Sequence, residues 1–394
     1  MAATFGHRWA AFLLAAVCLA GCGGGGGGAT SASPAAAPET STRGRLEEAV
    51  ALNVVTQAEI VAGLQKPDTR APQVTPLYRV ANYRLSYRTL DGFGRELSAS
   101  GLVSVPLKPA GATSPVISYQ HATIFNDVEA PSRRAQGDEA AVIIASLGYI
   151  VVAADYVGFG VSKGAEHPYL LARPTAAAVL DLLTAARTWR RGQQVADNGQ
   201  LFLIGYSEGG YATMAAHRAM QAEGAADLPN LVFSMPGAGP YDVGVTLDEL
   251  LRRVRAEQPV LGALINPGLL RFLGSTVRDE VRRALLRLLV PSDADVTYQA
   301  DVLDRYLADD SAAIVRDSNV GDWAPQVPVY LFHGRDDQTV PFSSSTTTLG
   351  AMIARGATRV TLTECTLVPA GHKECVAPYW LLMLKQLAPV ARNL

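Results

Sequence analysis

The chain has 394 residues, of which 48% are hydrophobic, and its charge nearly balances, with 34 Lys and Arg against 36 Asp and Glu and a net charge of −2. That balance gives no basic field for nucleic acid, and no zinc-type cysteine or histidine spacing, Walker pattern or dinucleotide glycine pattern is present. The length past the amino-terminal leader, about 350 residues, exceeds a minimal single core and suits one large α/β domain with an insertion.

The amino terminus reads as a targeting segment. His7 and Arg8 precede a run of apolar residues from Trp9 to Ala20, too short to span a bilayer and suited to a signal-peptide core. Leu19-Ala20-Gly21-Cys22 resembles the lipobox of bacterial lipoproteins, in which the cysteine becomes the lipidated first residue. Gly23 to Gly28 follow at once, then Ala29 to Thr42, rich in Ala, Ser, Thr and Pro. Residues 1–21 are therefore expected to be a lipoprotein signal peptide and 22–45 a flexible tether. The expected partner is a membrane, held through acyl chains on Cys22, and the expected site is the bacterial envelope, at the outer membrane in a Gram-negative cell, with a periplasmic or secreted protein as the alternative. Of the four cysteines, Cys18 leaves with the signal and Cys22 takes lipid. Cys365 and Cys375 remain, close in sequence in an exported chain, and a disulfide is expected between them.

Residues 46–394 are expected to form the folded domain. Leu46 to Leu64 reads as an amphipathic helical pair, with Thr56 and Glu59 spaced as a capping box. From Tyr78 to Val105 the pattern alternates with period two around Asp91-Gly92-Phe93-Gly94, which predicts a β-hairpin. Strand-like runs then alternate with helical stretches. The runs are Val116 to Tyr119, Tyr149 to Ala154, Leu201 to Ile204, Leu231 to Met235, Val327 to Phe332 and Arg359 to Leu362. The helical stretches include Ala135 to Ser146, Thr175 to Arg190 and Glu208 to Ala222. Runs that are apolar throughout predict parallel strands covered on both faces. Between Met235 and Val327 there is no strand signal. Helical patterns at Leu247–Ala256, Val260–Leu273, Thr276–Leu289 and Val296–Ala308 predict a helical cap over about 241–325.

Gly205-Tyr206-Ser207-Glu208-Gly209 sits between the run Leu201–Ile204 and a helical stretch. Strand, sharp turn and helix make the setting of a nucleophile elbow, with Ser207 exposed at a strand end. A second match, Gly160-Val161-Ser162-Lys163-Gly164, lies several residues beyond its strand and is followed by Pro168. Ser162 is therefore read as a loop serine. A serine needs a base, and the base needs an orienting acid. Of the six histidines, His7 is in the signal, His217 falls mid-helix, His167 lies in a loop, and His121 and His333 end strands. His372 follows Ala370-Gly371 after the last strand and is expected to be the base. The stretch His333-Gly334-Arg335-Asp336-Asp337-Gln338-Thr339-Val340-Pro341 supplies two adjacent carboxylates as candidate acids. An oxyanion hole needs two preorganised donors. The expected ones are the backbone N–H of Glu208 and, from the loop after Gln120, Thr123.

These motifs, with Tyr119-Gln120-His121-Ala122-Thr123, Asp155-Tyr156-Val157-Gly158-Phe159-Gly160 and Gly371-His372, resemble the α/β-hydrolases, and more narrowly the secretory lipases related to fungal lipase A. The resemblance spans nearly all of the chain past the leader. It implies an α/β-hydrolase fold, a mostly parallel sheet with helices on both faces. It also implies ester hydrolysis through an acyl-enzyme on a small-molecule or lipid ester, without cofactor or metal. In relatives with a His-Gly-x-x-Asp-x-x-Val-Pro stretch the acid is the fifth residue, which here is Asp337. A serine peptidase on the same fold and a non-catalytic tethered binding protein are the alternative readings.

Overall fold

The computed structural model describes residues 41–66, 71–257, 267–270, 272 and 275–394. The signal peptide, Cys22 and most of the tether lie outside the described residues, as does part of the expected cap helix over 260–273. The described residues hold a nine-stranded sheet in the order β1-β2-β3-β5-β4-β6-β7-β8-β9.

The strands are β1 (Leu46–Val55), β2 (Val80–Leu90), β3 (Glu96–Pro106), β4 (Ser114–Gln120), β5 (Ile150–Ala154), β6 (Asp197–Tyr206), β7 (Leu231–Gly237), β8 (Val329–His333) and β9 (Val360–Glu364). β1, β2, β3 and β5 pair antiparallel in succession, and from β5 through β9 every pairing is parallel. The apolar runs expected from sequence are these strands.

One expectation fails. Residues 46–55 are not helical but form the edge strand β1, in register with β2 from Leu46 opposite Tyr87 to Val55 opposite Val80. The free edge of β2 overrides the local helical spacing, because a ladder partner far along the chain satisfies the backbone of this segment. Only the second half is a helix, Gln57–Leu64. Thr56 Oγ1 accepts from the Glu59 N–H at 3.2 Å while Glu59 Oε2 accepts from the Thr56 N–H at 2.7 Å, the reciprocal cap that the spacing predicts.

The central strands are apolar throughout because both faces are covered. On β6, Phe202 and Ile204 face a core shared with the helices Ala140–Ser146 and Val376–Leu387. Leu201 and Leu203, one residue out of phase, face a core shared with the helices Ala172–Gly192 and Glu208–Ala222. Between β7 and β8 the chain makes helices at Val243–Glu257, Pro267–Leu270, Ser275–Leu289, Asp301–Leu307 and Ser311–Asp317. Among the described residues no helix is long and apolar enough to cross a membrane.

The strand order positions the site. β4 lies between β5 and β6, so the loop leaving β4 and the turn leaving β6 emerge side by side. Ligands of open α/β sheets bind at such a topological switch, beyond the carboxyl ends of the strands.

Candidate active site

The turn after β6 is forced at Ser207. Its backbone has φ 61° and ψ −125°, a region that non-glycine residues rarely occupy. The conformation is locked from outside the turn. The Ser207 N–H donates to Gly237 O at 2.8 Å, and Ser207 O accepts from the Tyr211 N–H at 3.1 Å to start the helix. Gly209 has no substitute: a Cβ there would lie 2.0 Å from Gln120 O and 2.8 Å from His121 O. The absent side chain lets the start of the helix approach the chain at Gln120 and His121, where β4 ends.

His372 is carried by the segment between β9 and the helix Val376–Leu387. Its Nε2 lies 2.9 Å from Ser207 Oγ, and its Nδ1 lies 2.5 Å from Asp337 Oδ2. Nδ1–H thus donates to the carboxylate, leaving the Nε2 lone pair to accept the Ser207 hydroxyl proton. The Tyr206 hydroxyl donates to His372 O at 2.8 Å, which fixes the backbone beneath the ring. A disulfide joins Cys365 and Cys375 around this segment, and both cysteines are buried.

Asp337 sits in the turn after β8 and is 2% exposed. Each of its oxygens has two donors. Oδ1 accepts from the N–H groups of Thr339 at 2.8 Å and Val340 at 2.9 Å. Oδ2 accepts from His372 and from His333 Nε2–H at 3.2 Å. Burial alone would raise its pKa, but the hydrogen bonds from His333 and His372 overcome it and hold the carboxyl well below the usual range. The neighbouring Asp336 points elsewhere, and its Oδ2 accepts from the Ala370 N–H at 2.8 Å.

His333 is a participant that the sequence reading left as a strand end. It is fully buried, its Nε2–H also reaches Val340 O at 3.0 Å, and its Nδ1 accepts from the Ser345 hydroxyl at 2.7 Å. The signal lay in the four-residue spacing to Asp337 across the turn, which brings both side chains to one point.

Ser162 and His217 lie outside this group. Ser162 is buried, and its hydroxyl donates to Phe159 O at 2.8 Å within its own turn. His217 is buried on the far side of the helix that follows Ser207, against Ser234 and Trp323, and burial pushes its pKa down to about 3. His121 Nδ1–H is engaged with Ala122 O at 2.7 Å. Thr123 is half-buried, with Oγ1 3.5 Å from the Tyr169 hydroxyl, a separation too long to count as a firm hydrogen bond. Among the described residues no group of three or more His, Cys, Asp or Glu is placed to hold a metal ion.

Solved structures share this architecture. The rice cell wall degrading esterase LipA from Xanthomonas oryzae superimposes with a TM-score of 0.68 at 22% identity, covering 89% of this chain and 100% of its own. A putative hydrolase from Legionella pneumophila gives 0.69 at 22% identity over 88% of this chain and 99% of its own. The lipase A of Candida antarctica gives 0.54 at 20% identity, over 84% of this chain and 78% of its own. The chain has the α/β-hydrolase fold.

The chain also matches the model of the secretory lipase family over residues 134–266. That match includes Ser207 and Glu208 and ends before Asp337 and His372. Taken with the fold, it marks a carboxylesterase- or lipase-type hydrolase. No curated protein matches it in sequence.

Proposed function

We propose that this hydrolase cleaves carboxylic esters through Ser207, His372 and Asp337, with an acyl-enzyme intermediate. The observation that supports it is the unbroken chain of contacts from Ser207 Oγ through His372 to Asp337, 2.9 Å and 2.5 Å long. In this reading His372 Nε2 takes the hydroxyl proton as Ser207 Oγ attacks the ester carbonyl. The ionised Asp337 stabilises the imidazolium that forms. The Glu208 N–H and a donor from the loop after β4, assigned to Thr123, bind the oxyanion. His372 then protonates the leaving alkoxide, and water repeats the sequence to release the acid.

The helical insertion at 241–325 is assigned as the cap, and its apolar composition favours acyl groups. At the amino terminus, acylated Cys22 is assigned as the anchor of the folded domain to a bacterial envelope membrane.

The test is a panel of p-nitrophenyl esters and peptide anilides. Ser207→Ala should lower ester kcat by about 10⁴-fold or more with the fold intact, while Ser162→Ala changes it little. Equal losses from the two changes, or faster cleavage of anilides than of esters, would overturn the reading.

A further inference from the structure

One buried acid–base pair takes no part in the steps above. His167 lies in the loop between β5 and the helix Ala172–Gly192, and Glu208 directly follows Ser207. Their side chains are 3% and 4% exposed, with His167 Nε2 2.8 Å from Glu208 Oε1. His167 Nδ1 lies 2.8 Å from Val157 O, which can only accept, so Nδ1 carries a proton. The contact between Nε2 and Oε1 needs a proton as well, since two bare lone pairs at that distance repel. Whether that proton resides on the ring or on the carboxyl, the pair is neutral overall.

His167 is held firmly. The rings of Tyr156, Phe159, Tyr169 and Tyr298 surround it, with centroids 6.0, 5.2, 6.0 and 5.1 Å away. Its backbone bridges to the insertion. The His167 N–H donates to Thr297 O at 2.7 Å, and the Gln299 N–H donates to His167 O at 2.9 Å. The same strap reaches the loop after β4, where the Asp295 N–H donates to Phe125 O at 3.2 Å and the Tyr298 hydroxyl donates to Ile124 O. Asp295–Gln299 therefore touches the loop of one assigned oxyanion donor, and through His167 the residue that supplies the other.

We propose that the His167–Glu208 pair, braced by the Asp295–Gln299 strap, positions the oxyanion hole, and that its shared proton stops the Glu208 carboxyl from opposing the charge that develops at the Glu208 N–H. Both side chains are positioning residues. The inference rests on Ser207 being the nucleophile. Its physical basis is that a buried carboxylate without its partner is an uncompensated negative charge in low dielectric, placed beside a second one that forms in the transition state.

The test uses the full chain at pH 8, with a p-nitrophenyl ester as substrate and an alkylboronic acid as a mimic of the tetrahedral adduct. His167→Gln should lower kcat by about 10²-fold, at the low end of the loss from removing an oxyanion donor, and leave KM within about twofold. Boronate affinity should fall with kcat. Adding Glu208→Gln to His167→Gln removes the stranded charge and should recover at least about tenfold of the lost kcat. A merely structural pair predicts the opposite, a double variant no better than the single one, and that result overturns the proposal. A rise in KM at unchanged kcat overturns it too. If His167→Gln does not fold, His167→Asn replaces it with the same readout: recovery of kcat on adding Glu208→Gln supports the proposal, and no recovery ends it. Activity surviving in Ser207→Ala would instead remove the catalytic reading beneath it. Full loss in Ser207→Ala with kcat intact in the pair variants would leave that reading standing and remove only this inference.

Discussion

Replacing Asp337 by asparagine tests the acid assignment where the structure makes the outcome sharp. Both carboxylate oxygens accept two hydrogen bonds, Oδ1 from the Thr339 and Val340 N–H groups and Oδ2 from His372 and His333. An amide offers one oxygen and one NH2 group. If the oxygen stays on the backbone side, the NH2 faces two imidazole N–H donors. His372 must then present Nδ1 as an acceptor and move its proton to Nε2, which leaves no base for Ser207. If the amide turns over, its NH2 faces two buried backbone donors, each costing about 1–3 kcal/mol when left unsatisfied. Asp337→Asn should therefore lower kcat by about 10⁴-fold, as in other serine triads that lose the ionised acid, with a fall in Tm as a second mark. Asp336→Asn is the matched control. Its contact is an acceptor to the Ala370 N–H at 2.8 Å, which an amide oxygen keeps, so kcat should stay within about threefold. Steady-state ester hydrolysis with thermal unfolding of both variants measures this. A larger loss from Asp336→Asn, or less than about a tenfold loss from Asp337→Asn, would refute the assignment.

Other outcomes follow from the same geometry. Changing both Cys365 and Cys375 to serine removes a link across 10 residues and should cost about 3 kcal/mol of stability in the chain-entropy account. It should also lower kcat at temperatures where the fold persists, because the linked segment carries His372; unchanged kcat with lowered Tm would separate the bridge from the base. In acid, Asp337 binds its proton less readily folded than unfolded, so its contribution is present above the ordinary aspartate pKa of about 4 and is lost as pH falls toward the lower folded value. Stability should thus fall with acid below about pH 4, and Asp337→Asn should flatten that fall by one proton's slope; identical slopes would contradict it. At the amino terminus, Cys22→Ser should abolish acylation and detergent partitioning, and an unmodified mature terminus within the tether of the wild-type chain would refute the anchor.

Much of the sheet was legible because its strands are buried on both faces. A run such as Leu201–Ile204 needs no partner to be recognised, since only a strand covered on both sides or a buried helix is apolar throughout, and four residues are too few for the helix. Residues 46–55 were misread for the opposite reason. This edge strand is mostly exposed, so its pattern carries little burial signal, and its identity comes from β2, which lies beyond an intervening helix in the sequence. The candidate site divides in the same way. Ser207 was separable from Ser162 by what flanks it within the chain. His167 was not separable from an ordinary structural histidine, because its contact with Glu208 joins distant parts of the chain and periodicity does not encode it. The insertion carries this furthest. The helices Val243–Glu257, Ser275–Leu289 and Asp301–Leu307 are visible in sequence and Ser311–Asp317 is not, and nothing in the sequence says that the insertion touches the candidate site at two points. Near its start, Arg253 Nη2–H donates to the backbone oxygen of Asp337 at 3.2 Å. Past its middle, the strap Asp295–Gln299 bonds to Ile124, Phe125 and His167. The acid turn and the loop after β4 are thus each braced by the same insertion. A change that loosens its helices should reach kcat through both the acid and the oxyanion side, whereas a lid that only gates access would act on KM.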